Sequence, residues 1–323
     1  MNIKKYVLSF LLVIATLFSS FAFAATNVDA KQSQQKLIYV IMPNISNPFF
    51  RTETRVATQR ALELGYEVKT VFHCENTSKE LDLFRQAIAE NASAIICDVA
   101  DSFTSMKAIQ EAYDKKIPTF LIDREIEIKG GLAESQILSN NFWGARSSAV
   151  EFSKAMENQG EYAELVGPES DMNAQIRSLA YNEVIGAHPL MNQVAQEVIE
   201  NWDEEIAYVR TKQLLEKYPN LKGIICGNDV LAIGAVKAIR AAQKKIFVSA
   251  LDGSNEARDA ILNGEMVSTA LQPCAQMARL AVDQADRYIK TGTSGQSEIQ
   301  LIDCVTITKE NAARLNNFEL SAF

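Results

Sequence analysis

Histidine is nearly missing from this chain: His73 and His188 are the only two in 323 residues. They lie far apart, and His73 merely adjoins Cys74, which is not a zinc-ligand spacing, so no metal site is expected. The five cysteines (Cys74, Cys97, Cys226, Cys274 and Cys304) are widely separated and contain no C-x-x-C pair. That spacing gives neither a redox motif nor the disulfide framework of a small exported domain. Cys97 and Cys226 fall in apolar strand-like runs and read as buried thiols. Pairing among the other three stays open, with Cys274 and Cys304 the least implausible pair. No Gly-x-Gly-x-x-Gly follows the first strand-like run, so a dinucleotide lacks its phosphate cradle. No Gly-x-Ser-x-Gly elbow offers a hydrolase nucleophile. No cofactor and no catalytic residue is expected, and the chain reads as a non-enzyme. Clusters of positive charge are lacking as well. With 32 basic against 40 acidic residues and a net charge of −8, the chain is a poor candidate for nucleic acid or an anionic membrane.

One apolar stretch is present, at the N-terminus. Lys4-Lys5, an apolar run from Tyr6 to about Phe21, and Ala22-Phe23-Ala24 before Ala25 follow the order of a secretory signal. Cleavage is expected after Ala24, giving a signal peptide over 1–24 and periplasmic localisation. The run is short for a membrane span, and no cysteine beside the cut argues for lipid anchoring. A polar tail would follow to about Gln35. The remaining length, about 300 residues, suffices for two domains.

From there, apolar strand-like runs alternate with amphipathic helical stretches. Leu37–Met42 precedes a helix from Pro48 to Leu64 that Gly65 closes. Val68–Phe72, Ala94–Cys97, Thr119–Ile122 and Gln136–Leu138 read as further strands, with helices near Ser78–Ala89, Phe103–Lys115 and Phe142–Asn158 between or after them. The pattern resumes with Tyr162–Val166, Val194–Val198, Gly223–Cys226, Ile246–Leu251 and Met266–Leu271. It ends in a long helix at Ala275–Lys290 and a strand near Ile299–Thr308. Repeated βα units predict parallel sheets covered by helices on both faces. Their number exceeds one open sheet, so two similar lobes are expected, with no low-complexity linker between them.

Polar residues recur at the carboxyl ends of these strands, where open α/β sheets bind ligands. Asn47 with Phe49-Phe50 follows the first, Asp98 the third, and Asp123-Arg124 the fourth. Asn228-Asp229 follows Ile-Ile-Cys-Gly, Asp252-Gly253 follows Val-Ser-Ala-Leu, and Gln272 follows Ser-Thr-Ala-Leu. Singly, each polar residue reads as a helix N-cap or turn former, and the two phenylalanines read equally well as core. Together they offer carboxylates to accept from hydroxyls, amides and arginines to donate, and aromatic faces to cover C–H surface. That set suits a sugar. Trp202, between Asn201 and Asp203, reads as a third aromatic of this kind or as core, and Arg177 as a donor or a surface residue. Asp98, Asp123 and Asp252 look more like strand-end acceptors than a glycosidase pair.

The order of Asn47-Pro48-Phe49-Phe50, Asp123-Arg124, Gly167 to Arg177, Asn201-Trp202-Asp203, Gly227-Asn228-Asp229, Leu251-Asp252-Gly253 and Gln272-Pro273 resembles the periplasmic substrate-binding proteins of sugar ABC transporters, in the ribose-, allose- and galactose-binding group. The resemblance implies the type I fold: two Rossmann-like doubly wound lobes joined by a three-crossover hinge, with the sugar enclosed between them. The expected first lobe is 36–139 plus 273–297, and the second 140–272 plus 298–323. The implied ligand contacts are Asn47, Phe49, Phe50, Asp98, Asp123 and Arg124 from the first lobe. Arg177, Trp202, Asn228 and Asp252 would act from the second, with Gln272 at a crossover. The implied partners are a monosaccharide or related polyol and the membrane permease of an ABC transporter, with the protein a monomer. The alternative is an exported sensor that presents its ligand to a chemoreceptor or sensor kinase. LacI-type repressors share these lobes but carry a helix-turn-helix where this chain has a secretory signal. Three positions depart from the ribose-type pattern: Pro43 replaces a hydroxyl residue, Asp98 an amide, and Leu251 an aromatic. Ribose is therefore expected to bind weakly.

Overall fold

The computed structural model describes residues 36–127 and 130–322. The expected signal peptide and polar tail lie outside the described residues. The first α/β unit shows how local sequence sets the fold. Strand β1 (Leu37–Met42) is buried from Ile38 to Met42, and its side chains alternate between two cores as a period of two requires. Ile38, Val40 and Met42 face one core, while Tyr39 and Ile41 face the other. Helix α1 (Pro48–Glu63) starts where Asn47 caps it and Pro48 needs no N–H partner. Gly65, at positive φ, then turns the chain into β2 (Glu67–Phe72).

β3 (Ala94–Cys97), β4 (Thr119–Ile122) and β5 (Ser135–Ser139) complete this half, with α2 (Thr77–Ala89) and α3 (Met106–Asp114) between them. α3 begins later than the expected Phe103. Asp101 Oδ1 accepts from Phe103 N and Thr104 N, so residues 101–104 form an Asx turn instead. The chain then passes through α4 (Asn141–Ala155) into β6 (Gln159–Val166), α5 (Met172–Ile185), β7 (Leu190–Val198) and α6 (Glu204–Lys217). β8 (Leu221–Cys226), α7 (Asp229–Ala241), β9 (Phe247–Ser249), α8 (Asn255–Leu262) and β10 (Thr269–Leu271) follow. Helix α9 (Cys274–Thr291) then returns to pack on α1 and β3 to β5, with Arg60 bonded to Asp283 and Tyr66 to Asp286. β11 (Ile299–Ile302), β12 (Val305–Ile307) and a hairpin of β13 (Leu315–Asn316) with β14 (Glu319–Leu320) end the chain.

Two separate parallel sheets result. One has the order β11-β5-β4-β3-β1-β2 and the other β7-β6-β8-β9, while β10 pairs antiparallel with β12 and bridges to the edge beyond β9. In the first sheet the winding reverses between β1 and β3, where Ile41 stands opposite Cys97. In the second it reverses between β6 and β8. Each reversal leaves a crevice at the carboxyl ends of the strands.

The chain crosses between the sheets after β5, after β10 and after β11, as the expected three crossovers require. One boundary needs correction. Residues 298–302 were expected in the second lobe as part of one strand over 299–308. Instead Ile299–Ile302 pairs with Gln136–Ser139 in the first sheet, and only Val305–Ile307 joins the second half. Asp303-Cys304 interrupts the apolar run and forms the third crossover. The five cysteines are free thiols, with Cys97, Cys226 and Cys274 buried.

Candidate ligand-binding site

The two crevices face each other across a narrow cavity lined by residues of both lobes. Phe49 and Phe50 line it from the start of α1, packed edge-to-face with centroids 5.9 Å apart. Phe318 of the terminal hairpin braces Phe49 at 5.5 Å. Both rings are also core residues. Asn47 reaches the cavity while its Oδ1 caps Phe49 N at 2.9 Å. Asn228 does the same on the second lobe, capping Leu231 N at 3.0 Å. In each, the amide nitrogen remains as the donor for a ligand. Asp123, Arg177, Trp202, Asp252 and Gln272 supply the rest of the wall.

Two expected contacts stand behind that wall, since Asp98 and Arg124 are not among the residues lining the cavity. Arg124 is 1% exposed and lies over the Phe50 ring at 5.1 Å. Its Nη1 donates to Glu75 at 2.7 Å and to the Val99 carbonyl at 3.0 Å, its Nη2 to Glu75 at 3.2 Å, and its Nε to Asp171 at 3.1 Å. One Nη2 hydrogen remains. Asp98 is fully buried, 3.8 Å from Arg124 Nε, and neither of its oxygens has a hydrogen-bond partner in the protein.

Asp171 is the cavity residue that sequence reasoning missed. It was legible only as an acid within the Gly167 to Arg177 segment, and as N-cap of α5 it has an ordinary explanation. Its Oδ2 accepts from Arg124 of the first lobe and from Trp202 Nε1, the latter at 3.2 Å. Ser102 N donates to Ser170 O, and Asn173 Nδ2 to Asp123 O. These contacts hold the lobes closed. Arg177, read as a possible surface residue, is buried. Its Nε donates to Asn141 at 2.7 Å and its Nη1 to Gly227 O at 3.0 Å, and it stands 5.5 Å from the Trp202 ring.

Backbone strain collects at the same place. Asp123, Trp202 and Asp252 have φ of 60°, 55° and 144°, a region that side chains other than glycine's rarely occupy and that recurs at ligand sites. Asp229 holds the strained turn after β9, accepting from Gly253 N at 2.9 Å, Ser254 N at 2.7 Å and Thr269 Oγ1 at 2.6 Å. Asp252 is thereby presented to the cavity, with Gln272 Nε2 donating to its Oδ1 at 2.7 Å. A wider open groove shares Asn47 and Trp202 with the cavity and runs outward past Arg51, Glu205 and Glu256. Its rim is solvated surface, and the buried donors and acceptors lie within the small cavity.

Residues 38–294 match the periplasmic binding protein domain family. The chain belongs to this family. The D-apiose import binding protein of Paraburkholderia graminis is 45% identical over 285 residues, covering 88% of this chain and 91% of that protein. The ribose import binding protein of Salmonella typhimurium is 26% identical over 291 residues, covering 90% and 94%. Among solved structures, an ABC transporter periplasmic solute binding protein from Actinobacillus succinogenes with bound D-allose superposes with a TM-score of 0.80. It is 26% identical and covers 86% of this chain and 99% of its own. The type I periplasmic binding protein fold expected from the sequence is the fold observed.

In this periplasmic binding protein the carboxylates of the cleft are held in an unusual state. Burial, then the Asp171 charge, pushes Asp123 up to about 6. Burial also pushes Asp229 up to about 6 and Glu80 to about 7. Asp98, Asp252 and Glu53 are also held well above the ordinary carboxylate range, each first by burial. His73 moves the opposite way. Burial lowers it to about 4, and its Nδ1 accepts from Glu75 N, so Nε2 carries the proton donated to Asp98 O.

These acids bind protons more tightly folded than unfolded. For Asp123, Asp229 and Glu80 the stabilisation is complete below about pH 4 and is lost as pH climbs to about 7. The single histidine contributes above about pH 6.5 and fades as pH falls to about 4. Several acids outweigh one histidine. The unfolding temperature of the protein without sugar is therefore expected to rise by several degrees between about pH 8 and about pH 5. Scanning calorimetry across that range checks it, and a flat or opposite profile contradicts the assignment.

Proposed function

We propose that this protein captures a neutral monosaccharide between its lobes in the periplasm and hands it, unchanged, to the permease of an ABC transporter. The observation that carries this reading is the mismatch of hydrogen-bonding groups around the cavity. Glu53, Asp98 and Gln272 present buried oxygens with no partner in the protein, and Arg124 is almost fully engaged by Glu75, Asp171 and Val99. A surplus of acceptors calls for a ligand rich in hydroxyl donors. Six carboxylates (Glu53, Glu75, Asp98, Asp123, Asp171 and Asp252) against Arg124 and Arg177 disfavour a sugar acid or a sugar phosphate. Phe49, Phe50 and Trp202 cover the C–H faces of such a molecule. The relative named for D-apiose, 45% identical to this chain, makes that branched pentose the first choice. The relatives named as import binding proteins support binding without turnover.

Calorimetry with D-apiose, D-ribose, D-allose and D-galacturonate tests the reading. One site per chain is expected, with D-apiose bound most tightly, ribose at least about tenfold more weakly, and galacturonate not at all. The bound sugar should be recovered unaltered after long incubation. An altered product, or binding of galacturonate in preference to every neutral sugar, refutes it. The alternative partner, a chemoreceptor, uses the same closed cleft, and no observation favours it over a permease.

A further inference from the structure

Glu53 is the least expected side chain in the fold. It sits mid-way along the buried face of α1, between Phe49-Phe50 and Val56-Ala57, where packing alone asks for an apolar residue. It is fully buried, and neither carboxyl oxygen has a hydrogen-bond partner in the protein. Three and four residues on from the cavity-lining phenylalanines, it lies on their side of the helix.

The charged and titratable groups that act on it electrostatically come from several elements behind and around the cavity, of which Asp123 and Asp252 line it. They are Asp98 at the end of β3, Asp123 and Arg124 after β4, Asp252 after β9, and Cys274 at the start of α9. Asp98 is in the same condition, fully buried with both oxygens unpartnered. Burial and the neighbouring Asp98 and Asp123 charges hold the Glu53 carboxyl well above its ordinary range. Two adjacent acids of this kind are tolerable when donors arrive from outside the protein.

We propose that Glu53 is a specificity-determining residue of the cleft: neither it nor Asp98 lines the narrow closed cavity, and a sugar that widens it between Phe49 and Phe50 meets both acids, which read adjacent hydroxyls. The proposal rests on the sugar-binding reading above and adds to it a residue and a hydroxyl pattern. A ligand lacking one of those hydroxyls leaves an acid unpaired and is rejected, as sites built for a hydroxyl reject analogues without it.

The test is calorimetry of wild type, Glu53→Gln and Glu53→Leu with D-apiose, D-ribose, 2-deoxy-D-ribose and erythritol, alongside thermal unfolding without sugar. Both variants should unfold at or above the wild-type temperature, since an unpaired buried acid has been removed. Affinity for the best wild-type sugar should fall at least about tenfold, and the order of preference should change as discrimination against the deoxy sugar shrinks. Asp98→Asn combined with Glu53→Gln should lose less than the product of the single losses, because both read one region of the ligand. Should Glu53→Leu fail to fold, the nearly isosteric Gln variant decides. Unchanged affinity and order of preference in the variants removes Glu53 from recognition and leaves the sugar-binding reading standing. A uniform loss with the order preserved assigns Glu53 to shaping α1 and also overturns the proposal. Binding of none of these four ligands, nor of D-allose, by wild type overturns the sugar-binding reading itself, and the proposal with it.

Discussion

Arg124→Ala is expected to abolish measurable sugar binding and to lower stability by about 3–5 kcal/mol. The guanidinium is the one cation that Glu75, Asp171 and Asp98 share, at 2.7, 3.1 and 3.8 Å. Its removal leaves three carboxylates in a space nearly closed to water. Breaking a buried pair by deleting one member costs far more than the pair contributes, because the partner stays buried and uncompensated. Asp171 also belongs to the second lobe, so the substitution cuts a tie that closes the cleft, and the platform over Phe50 is lost with it. Arg124→Lys should rescue little, since an ammonium cannot donate to Glu75, Asp171 and Val99 at once. Chemical denaturation of the variants, with calorimetry for the sugar, measures both effects. Wild-type stability with wild-type affinity would place Arg124 outside the machinery of the cleft.

The sequence exposes this cleft unevenly, for physical reasons. Asn47, Asp123, Asn228, Asp252 and Gln272 are legible because a strand end is a topological address, and apolar runs such as Ala94–Cys97 mark it without ambiguity. Asp171 and Glu75 are not legible in that way. Each is an acid in an ordinary turn or cap, and becomes part of the site only when Arg124 reaches it from another loop. Trp202 and the Phe49-Phe50 pair could be read as core or as contact because they pack in the core and line the cavity at once. Glu53 did leave a signal, a charge on the apolar stripe of a helix, where local pattern and global fold disagree. The ends of elements were the weakest part of the reading. α3 starts late because Asp101 captures two backbone N–H groups, and the last predicted strand is two strands in different sheets.

Gly167→Ala should disable the site from the opposite direction, by adding one methyl group. A Cβ at Gly167 would meet the Trp202 ring at 2.1 Å from Cη2 and 2.2 Å from Cζ2. The backbone there is pinned at the end of β6, where Gly227 N donates to Leu165 O at 2.7 Å, so the indole must move. Its own room is limited, because Gly227 crowds the same ring and Arg177 lies 5.5 Å from it. Displacing Trp202 breaks its bond to Asp171, and with it one side of the Arg124 clamp. Overpacking of this kind costs about 1–3 kcal/mol in stability, and the loss of an aromatic wall should lower sugar affinity about 100-fold or more. The cause can be separated from a general defect at the strand end. Trp202→Phe removes the ring atoms that clash, so the double variant Gly167→Ala with Trp202→Phe should be more stable than Gly167→Ala alone, a reversal that independent sites do not produce. Thermal unfolding of the four proteins gives the coupling, and calorimetry with the best wild-type sugar gives the affinity. Strictly additive losses would mean that the indole yields without strain, and that the glycine is needed at this strand end for some reason other than Trp202.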